Sequence, residues 1–325
     1  MFVALGKPFL DIIAKIDGER IQKYQFENYD HVRFDHKILD DDLKDIQKIY
    51  KLGGSITNTL RTIKWISPNL DLLFIGNIGE DANGEILKRQ IEEEEIRTHF
   101  WVTKVNTAKC YVLIHGDVRT LVTDSETKRS IEVDLDESLF SNASILYLSA
   151  LFIPTSFKII ILAYHHFLSN NKTIVLNLGA PFISEQFPQQ MLYMFNNADI
   201  VFGNENEYLA LANISHIVEK DPKCLILSIN KAHSGKPGRT VIMTRGSNSV
   251  LMTQNDQLSE FEVERIASED LKDTNGAGDA FAGGFLSQFM ARKSLEDCVN
   301  CGIWASGQVV KNVGFDFDKN AKYCL

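Results

Sequence analysis

Three observations predict an α/β protein with a central, mostly parallel sheet flanked by helices and a small β-rich lid. Short β-branched runs alternate with longer helical patterns along most of the chain. Two stretches, 11–52 and 107–133, break that rhythm with short strand-like runs and polar loops. The third, KDTNGAGDAFAGGFL at 272–286, packs Gly276, Gly278, Gly283 and Gly284 around the carboxylate of Asp279. Each glycine weakens a helix by roughly 1 kcal/mol against alanine, so four together need a reason.

In chain order, the first helix is expected over 55–67, opening at Gly53-Gly54-Ser55 with Ser55 as N-cap. The strand LLFIG (72–76) leads to a helix over 82–95, whose acidic run Glu92–Glu95 suits a solvated helix end. Further strands are expected at ILYLS (145–149), TIVLNL (173–178), DIVFG (199–203), CLILSI (224–229), TVIMT (240–244) and SVLMT (249–253). Helices are expected over 155–170, 184–197, 205–212, 277–292 and 294–311. Residues 1–10, 53–106 and 134–325 then form the α/β core, with 11–52 and 107–133 as a discontinuous lid. In open α/β sheets, ligands sit beyond the carboxyl ends of the strands. That rule puts NLGAPF (177–182), GNENE (203–207) and TRGS (244–247) on one rim with the glycine-rich stretch.

Charge and cysteine usage narrow the function. The 325 residues carry a net charge of −9, which argues against a nucleic-acid-binding surface. Five cysteines in a chain this long are no disulfide framework. Cys298 and Cys301 form a CxxC without a second pair or a nearby histidine, and read as core thiols. The start, MFVALGKPFLDII, lacks a basic leader and meets Asp11 early, unlike a signal peptide. The weakly charged run 138–157 contains Asn142, several serines and Pro154, and reads as buried strand and loop, with no membrane span. A cytoplasmic protein is expected.

The glycine-rich stretch enters a helix, and a helix N-terminus presents unpaired amides and partial positive charge. Gly276 and Gly278 would let a ligand approach, with the amides of Ala277, Gly278 and Asp279 pointing at it. A dinucleotide fingerprint fails, because its third glycine position is Phe281, and no GK[ST] completes a Walker loop. An anion hole with a carboxylate in the same turn remains. Phosphoryl transfer suits that pairing, with Asp279 accepting a hydroxyl proton. A tightly packed helix start would use the same glycines.

DTNGAGDAFAGGFL resembles the C-terminal signature of the ribokinase family. GKPFLDI (6–12), GGSITN (53–58), GEILKR (84–89), GDVRTL (116–121), NLGAPFIS (177–184), FGNENE (202–207) and TRG (244–246) follow the family's order and spacing over nearly the whole chain. The resemblance implies a ribokinase-like fold and Mg2+-dependent transfer of the ATP γ-phosphate to a nucleoside 5′-hydroxyl. Its adenosine-phosphorylating branch, which makes AMP in purine salvage, is the best match. Carried over by motif, Asp279 is the base, Gly276, Ala277 and Gly278 form the anion hole, and Arg119 closes onto the phosphates from the lid. Asp11 takes the ribose 2′- and 3′-hydroxyls, and Gly53, Gly54, Ser55 and Asn58 complete the ribose pocket. Cys110, Leu121, Phe152, Phe182 and Asn275 also line the nucleoside side. Asn204, Thr244, Gly246, Asn275, Gly276 and Gly278 face ATP, while Asn204 and Glu207 hold Mg2+ through water. Taken alone, Asp11 could be a turn residue, the two phenylalanines core, NxxE a helix cap and Arg119 a surface charge.

The departures from the family pattern lie on the nucleoside side: Lys7, Ala150-Leu151, and Thr123 and Ser125 within the polar LVTDSETKRS (121–130). They leave another nucleoside or a sugar open as acceptor. A non-catalytic nucleoside binder is a third reading, against which Asp279, Gly276 and Gly278 are all present. The expected partners are the small-molecule nucleoside and ATP, bound by a monomer or homodimer. Lid closure is expected about Gly6, Gly53-Gly54 and Gly116.

Overall fold

The computed structural model describes residues 1–24, 31–115, 118–124, 134–232 and 236–324. Its first half runs β1 (Phe2–Leu5), β2 (Phe9–Lys15), α1 (Gly18–Tyr24), β3 (His31–Phe34), α2 (His36–Asp42), β4 (Lys48–Gly53), α3 (Ser55–Ile66), β5 (Leu72–Gly79), α4 (Ala82–Glu93), β6 (Arg97–Thr103), β7 (Lys109–His115) and β8 (Val118–Asp124). The second half runs β9 (Ile145–Ser149), α5 (Ile153–Ser169), β10 (Thr173–Asn177), α6 (Pro181–Gln186), α7 (Pro188–Asn197), β11 (Ile200–Asn204), α8 (Glu205–Ile214), α9 (Pro222–Ala232), β12 (Thr240–Arg245), β13 (Asn248–Gln254), β14 (Gln257–Phe261), α10 (Ala277–Met290) and α11 (Leu295–Val309).

Nine strands form one sheet in the order β14-β13-β12-β11-β10-β9-β1-β5-β6. From β6 to β12 every neighbouring pair is parallel, and β13 and β14 close the far edge antiparallel. Alternate side chains feed two cores, as the two-residue strand period requires. Phe2, Ala4, Phe74, Tyr147 and Phe202 point to one face and join Leu60, Leu87, Phe281 and Phe285 of α3, α4 and α10. Val3, Leu5, Ile75, Leu146 and Val201 point to the other and join Ile159, Met191, Leu211 and Leu225 of α5, α7, α8 and α9. The architecture is the ribokinase-like α/β fold that the motifs led us to expect.

A second sheet, ordered β3-β8-β7-β2-β4, comes from both segments that broke the sequence rhythm. Leu10, Ile12, Ala14, Tyr111 and Leu113 bury one face against Ile21, Leu39 and Leu43. The other face carries Asp11, which stands opposite Lys51 of β4 and Cys110 of β7; Thr123 of β8 stands opposite Cys110. These residues form one row across the sheet.

Several expectations need correction. CLILSI is helix: α9 buries Leu225, Ile226 and Ile229, a helical spacing, and the Asp221 carboxylate accepts from the amides of Lys223 and Cys224 at its start. A short apolar run reads alike in both periods. The helix expected over 184–197 is two, α6 and α7, because Phe187 (φ −131°) precedes Pro188 and leaves the helical region. β1, β6 and β14 are additional strands, and 11–52 contains α1 and α2 besides its strands. Among the described residues, one helical stretch, Ala150–Ser169, is long and apolar enough to cross a membrane, with half of it buried inside the protein. Cys298 and Cys301 are free, buried thiols, as expected.

The glycines inside α10 are explained by packing. A Cβ at Gly284 would stand 2.6 Å from the Cys301 carbonyl oxygen and 2.9 Å from the Gly302 Cα of α11. Both obstacles are backbone, so the helices would have to separate. Gly284→Ala should therefore lower stability by about 1–3 kcal/mol, despite a helix-propensity gain of roughly 1 kcal/mol. A urea midpoint equal to or above that of the parent protein would refute this account.

Candidate active site

Asp279 is the third residue of α10, just past Gly276, the N-cap (φ 78°). Its two carboxylate oxygens are taken by the first turn of α3: Ser55 Oγ donates to Oδ1 at 2.6 Å and Asn58 Nδ2 to Oδ2 at 3.0 Å. Ser55 does not cap its helix as the sequence suggested. Gly54 occupies the N-cap at φ 89°, and the serine hydroxyl is free to reach across to Asp279. Desolvation pushes the Asp279 carboxyl up to about 6, against the two hydrogen bonds that lower it.

Asp11 meets the same turn from the second sheet. Its carboxylate lies over Gly53, where a Cβ would be 2.5 Å from the Asp11 Cγ. Residues 53–58 thus touch both acids, one at each end. At the start of α10, the amides of Gly278 and Asp279 find no acceptor among the described residues. Ala277 departs from the expected anion hole, because its amide closes a turn onto Thr274 O at 3.2 Å. Gly276 needs its positive φ and has the Phe315 ring against it, whereas a Cβ on Gly278 would meet nothing within 4 Å. Asn275 lies in the exposed loop just before, its amide bonded to Asp273 Oδ1 at 3.0 Å.

Asn204 and Glu207 sit at the carboxyl end of β11 and form a full capping box on α8. The Asn204 amide and Nδ2 donate to the two Glu207 oxygens at 2.9 and 3.0 Å, and the Glu207 amide donates back to Asn204 Oδ1 at 2.9 Å. Burial, aided by the negative charge of Asp279, pushes Glu207 up to about 7. Thr244 is paired in register with Asn204, and Gly246 follows at φ 60° with open space around it. Among the described residues, no group of three His, Cys, Asp or Glu side chains is placed to hold an ion. One buried carboxylate with a lone pair left on each oxygen fits a hydrated Mg2+ that shares its shell with phosphates.

The remaining expected residues are dispersed. Phe152 is buried in the core and Phe182 packs half-buried against the same cluster, while Leu151 is exposed. Cys110 is buried, and Leu121, half-buried, shares the Asp11 face of the second sheet. The side chain of Arg119, and residues Gly116 and Ser125, lie outside the described residues.

The structure adds residues that sequence reading passed over. Thr59 Oγ1 lies 3.1 Å from Tyr147 OH and 3.2 Å from the Asp279 carbonyl oxygen. Asn177 Nδ2 donates to Tyr147 OH at 3.2 Å, and Asn177 Oδ1 accepts from the Gly179 amide at 3.1 Å. A buried polar chain thus runs from the 177–182 loop to the turn that bears the acid. Its sequence signal is Tyr147, a hydroxyl at the centre of the apolar strand ILYLS.

Comparison with known proteins bears on the family and the fold. The model of the pfkB family of carbohydrate kinases matches residues 24–321. The chain is similar to adenosine kinase 2 of Arabidopsis thaliana, 29% identical over 336 residues that cover 99% of this chain and 97% of that protein. It also resembles the structure of Anopheles gambiae adenosine kinase in complex with P1,P4-di(adenosine-5) tetraphosphate, with a TM-score of 0.85 and 28% identity over 100% and 99% of the two chains. The Schistosoma mansoni adenosine kinase, solved with adenosine, matches with a TM-score of 0.84 and 28% identity over 98% and 96%.

Because folding raises the Asp279 pKa, ionising it costs stability; the cost is complete above about pH 6 and relieved as the pH falls toward the unfolded value of 3.8. Ser55 opposes the shift, so Ser55→Ala should raise the Asp279 pKa further. Carboxyl-carbon NMR titration of the two proteins reads this directly, and an equal or lower pKa in the variant would contradict it.

Proposed function

Because the chain belongs to the pfkB family of carbohydrate kinases, we propose that it transfers the γ-phosphate of ATP to the 5′-hydroxyl of adenosine, giving AMP and ADP. The observation that carries this reading is the pair of acids on the Gly53–Asn58 turn. Asp11 accepts both vicinal ribose hydroxyls, which a single carboxylate can do. That contact sets the 5′-carbon toward Asp279, whose carboxylate, held by Ser55 and Asn58, takes the hydroxyl proton. A carboxyl near 6 is ionised at neutral pH yet basic enough to accept a proton in the transition state. The amides of Gly278 and Asp279 receive the charge that develops on the transferred phosphoryl group.

ATP lies along Asn204, Thr244 and Gly246, with its phosphates toward Gly276 and Gly278. Glu207 and Asn204 would hold Mg2+ through water, and the ion would supply neutralising charge there. The second sheet serves as a lid that excludes water, with Arg119 approaching the phosphates from β8. The similarity to adenosine kinases at near-full length on both sides supports adenosine as acceptor. Thr123 favours a second reading, another nucleoside or a sugar, because it puts a hydroxyl in the row with Cys110 and Asp11. Steady-state phosphorylation across a panel of nucleosides and sugars decides between the two.

Asp279→Asn should leave nucleoside affinity nearly intact and lower kcat by about 100- to 10,000-fold. A loss of about twofold or less would end the assignment. In the parent enzyme, kcat/KM should fall as the pH drops through about 6, where Asp279 is protonated. Asp11→Ala should abolish the preference for ribosides over 2′- and 3′-deoxynucleosides. Equal discrimination by both proteins would mean that Asp11 does not read the sugar.

A further inference from the structure

One turn beyond Asn58, α3 carries Arg61, a cation that the reaction above does not use. Its side chain is only 10% exposed, and its one ion pair among the described residues, Nη2 to Glu94, is long at 3.7 Å. Among the described residues Nε has no partner, and burial pulls the guanidinium pKa down. Such an incompletely paired buried cation is a poor source of stability, and an apolar side chain of similar volume would pack at less cost. Its position shows what else it does. Nη1 donates to Phe315 O at 3.3 Å, and the guanidinium carbon lies 5.5 Å from the ring centroids of both Phe315 and Phe317.

Phe315 is the residue behind the anion-binding turn. A Cβ on Gly276 would collide with ring carbon Cδ2 and stand 3.1 Å from Cε2. The surrounding strap, residues 310–317, grips the rest of that turn. Lys272 N and Asp273 N donate to Val310 O at 2.8 and 3.3 Å, and Gly314 N donates to Asp273 Oδ2 at 2.9 Å. Asp316 accepts from Lys51 Nζ at 3.3 Å, and Lys51 stands opposite Asp11 on the second sheet.

We propose that Arg61 is a positioning residue for the anion-binding turn: it holds Phe315 against Gly276 and thereby sets the direction of the Gly278 and Asp279 amides. α3 then fixes both halves of the site, the base directly through Ser55 and Asn58 and the amide cradle through Arg61 and the strap. A guanidinium suits the task because one group donates to a carbonyl while its charge lies against two rings; a lysine keeps the charge and loses the planar fork. The inference rests on the proposed function only in taking this turn as the place where phosphate is bound.

The test compares the full-length protein with Arg61→Met, Arg61→Lys and Phe315→Leu. It reads hydrogen exchange over 273–280, kcat, nucleoside Kd and Tm. Arg61→Met should speed exchange in that segment and lower kcat by about 10- to 100-fold, the usual effect of a misplacement near 1 Å. Nucleoside Kd should stay within about twofold of the parent value, and Tm should change little. Arg61→Lys should fall between, and Phe315→Leu should reproduce the methionine variant. Unchanged exchange and kcat in Arg61→Met would overturn the proposal, as would a nucleoside Kd that rises in step with the loss of kcat, since Arg61 would then support the ribose side. If Arg61→Met does not fold, the other two variants decide by the same criteria. The exchange measurement reads the turn whatever the acceptor. A protein that phosphorylated no nucleoside would sink the function proposed above, and exchange alone would then decide this inference.

Discussion

The site depends on how closely α10 can approach α3. A Cβ on Gly283 would stand 2.5 Å from Thr62 Cβ and 2.8 Å from Thr59 O, so the missing side chain lets the two helices touch. Only at that separation can Ser55 and Asn58 reach Asp279 at 2.6 and 3.0 Å. Gly284 does the same on the other flank, against α11. The glycines after Asp279 therefore serve packing, whereas Gly278, with nothing near its absent Cβ, leaves space for a ligand. One glycine-rich motif meets two different physical demands.

The electrostatics follow from that packing. Asp279 and Glu207 are both pushed up by desolvation, to about 6 and about 7, and the charge on Asp279 adds to the shift on Glu207. Tyr147 is raised as well, by burial first and by Asp279 second. Two acids with raised pKa values along one rim form a region short of positive charge, as a site for a cation-bound phosphate should be. The amides of Gly278 and Asp279, without an acceptor among the described residues, supply part of that charge from the backbone.

The second sheet and the C-terminal strap both meet this centre. Asp11 reaches it over Gly53, and Lys51, the cross-strand neighbour of Asp11, reaches the strap through Asp316. Behind the strap, Trp65 of α3 is stacked between Trp304 and Phe317, with ring centroids 4.7 and 4.4 Å away. These stacked rings tie the strap to the helix that also holds the base. Elements far apart in the chain thus share a few hard contacts around residues 53–61.

Much of this was legible in the sequence, because the signals involved are local. Alternation of apolar runs with helical patterns indicates a parallel sheet, and the parallel order of β9 to β12 puts 177–182, 203–207 and 244–247 on one rim. The motif around Asp279 and the GGS turn are short segments whose chemistry depends on neighbours in the chain. What the sequence could not supply depends on distance across the fold. CLILSI became a helix because one face of it is buried against the sheet, a fact that no six-residue window contains. Ser55 gave up its capping role to a partner 224 positions away. Thr59, Tyr147, Arg61 and Phe315 carry no motif at all. Each acts through a contact with a distant segment, and such contacts exist only once the helices have packed.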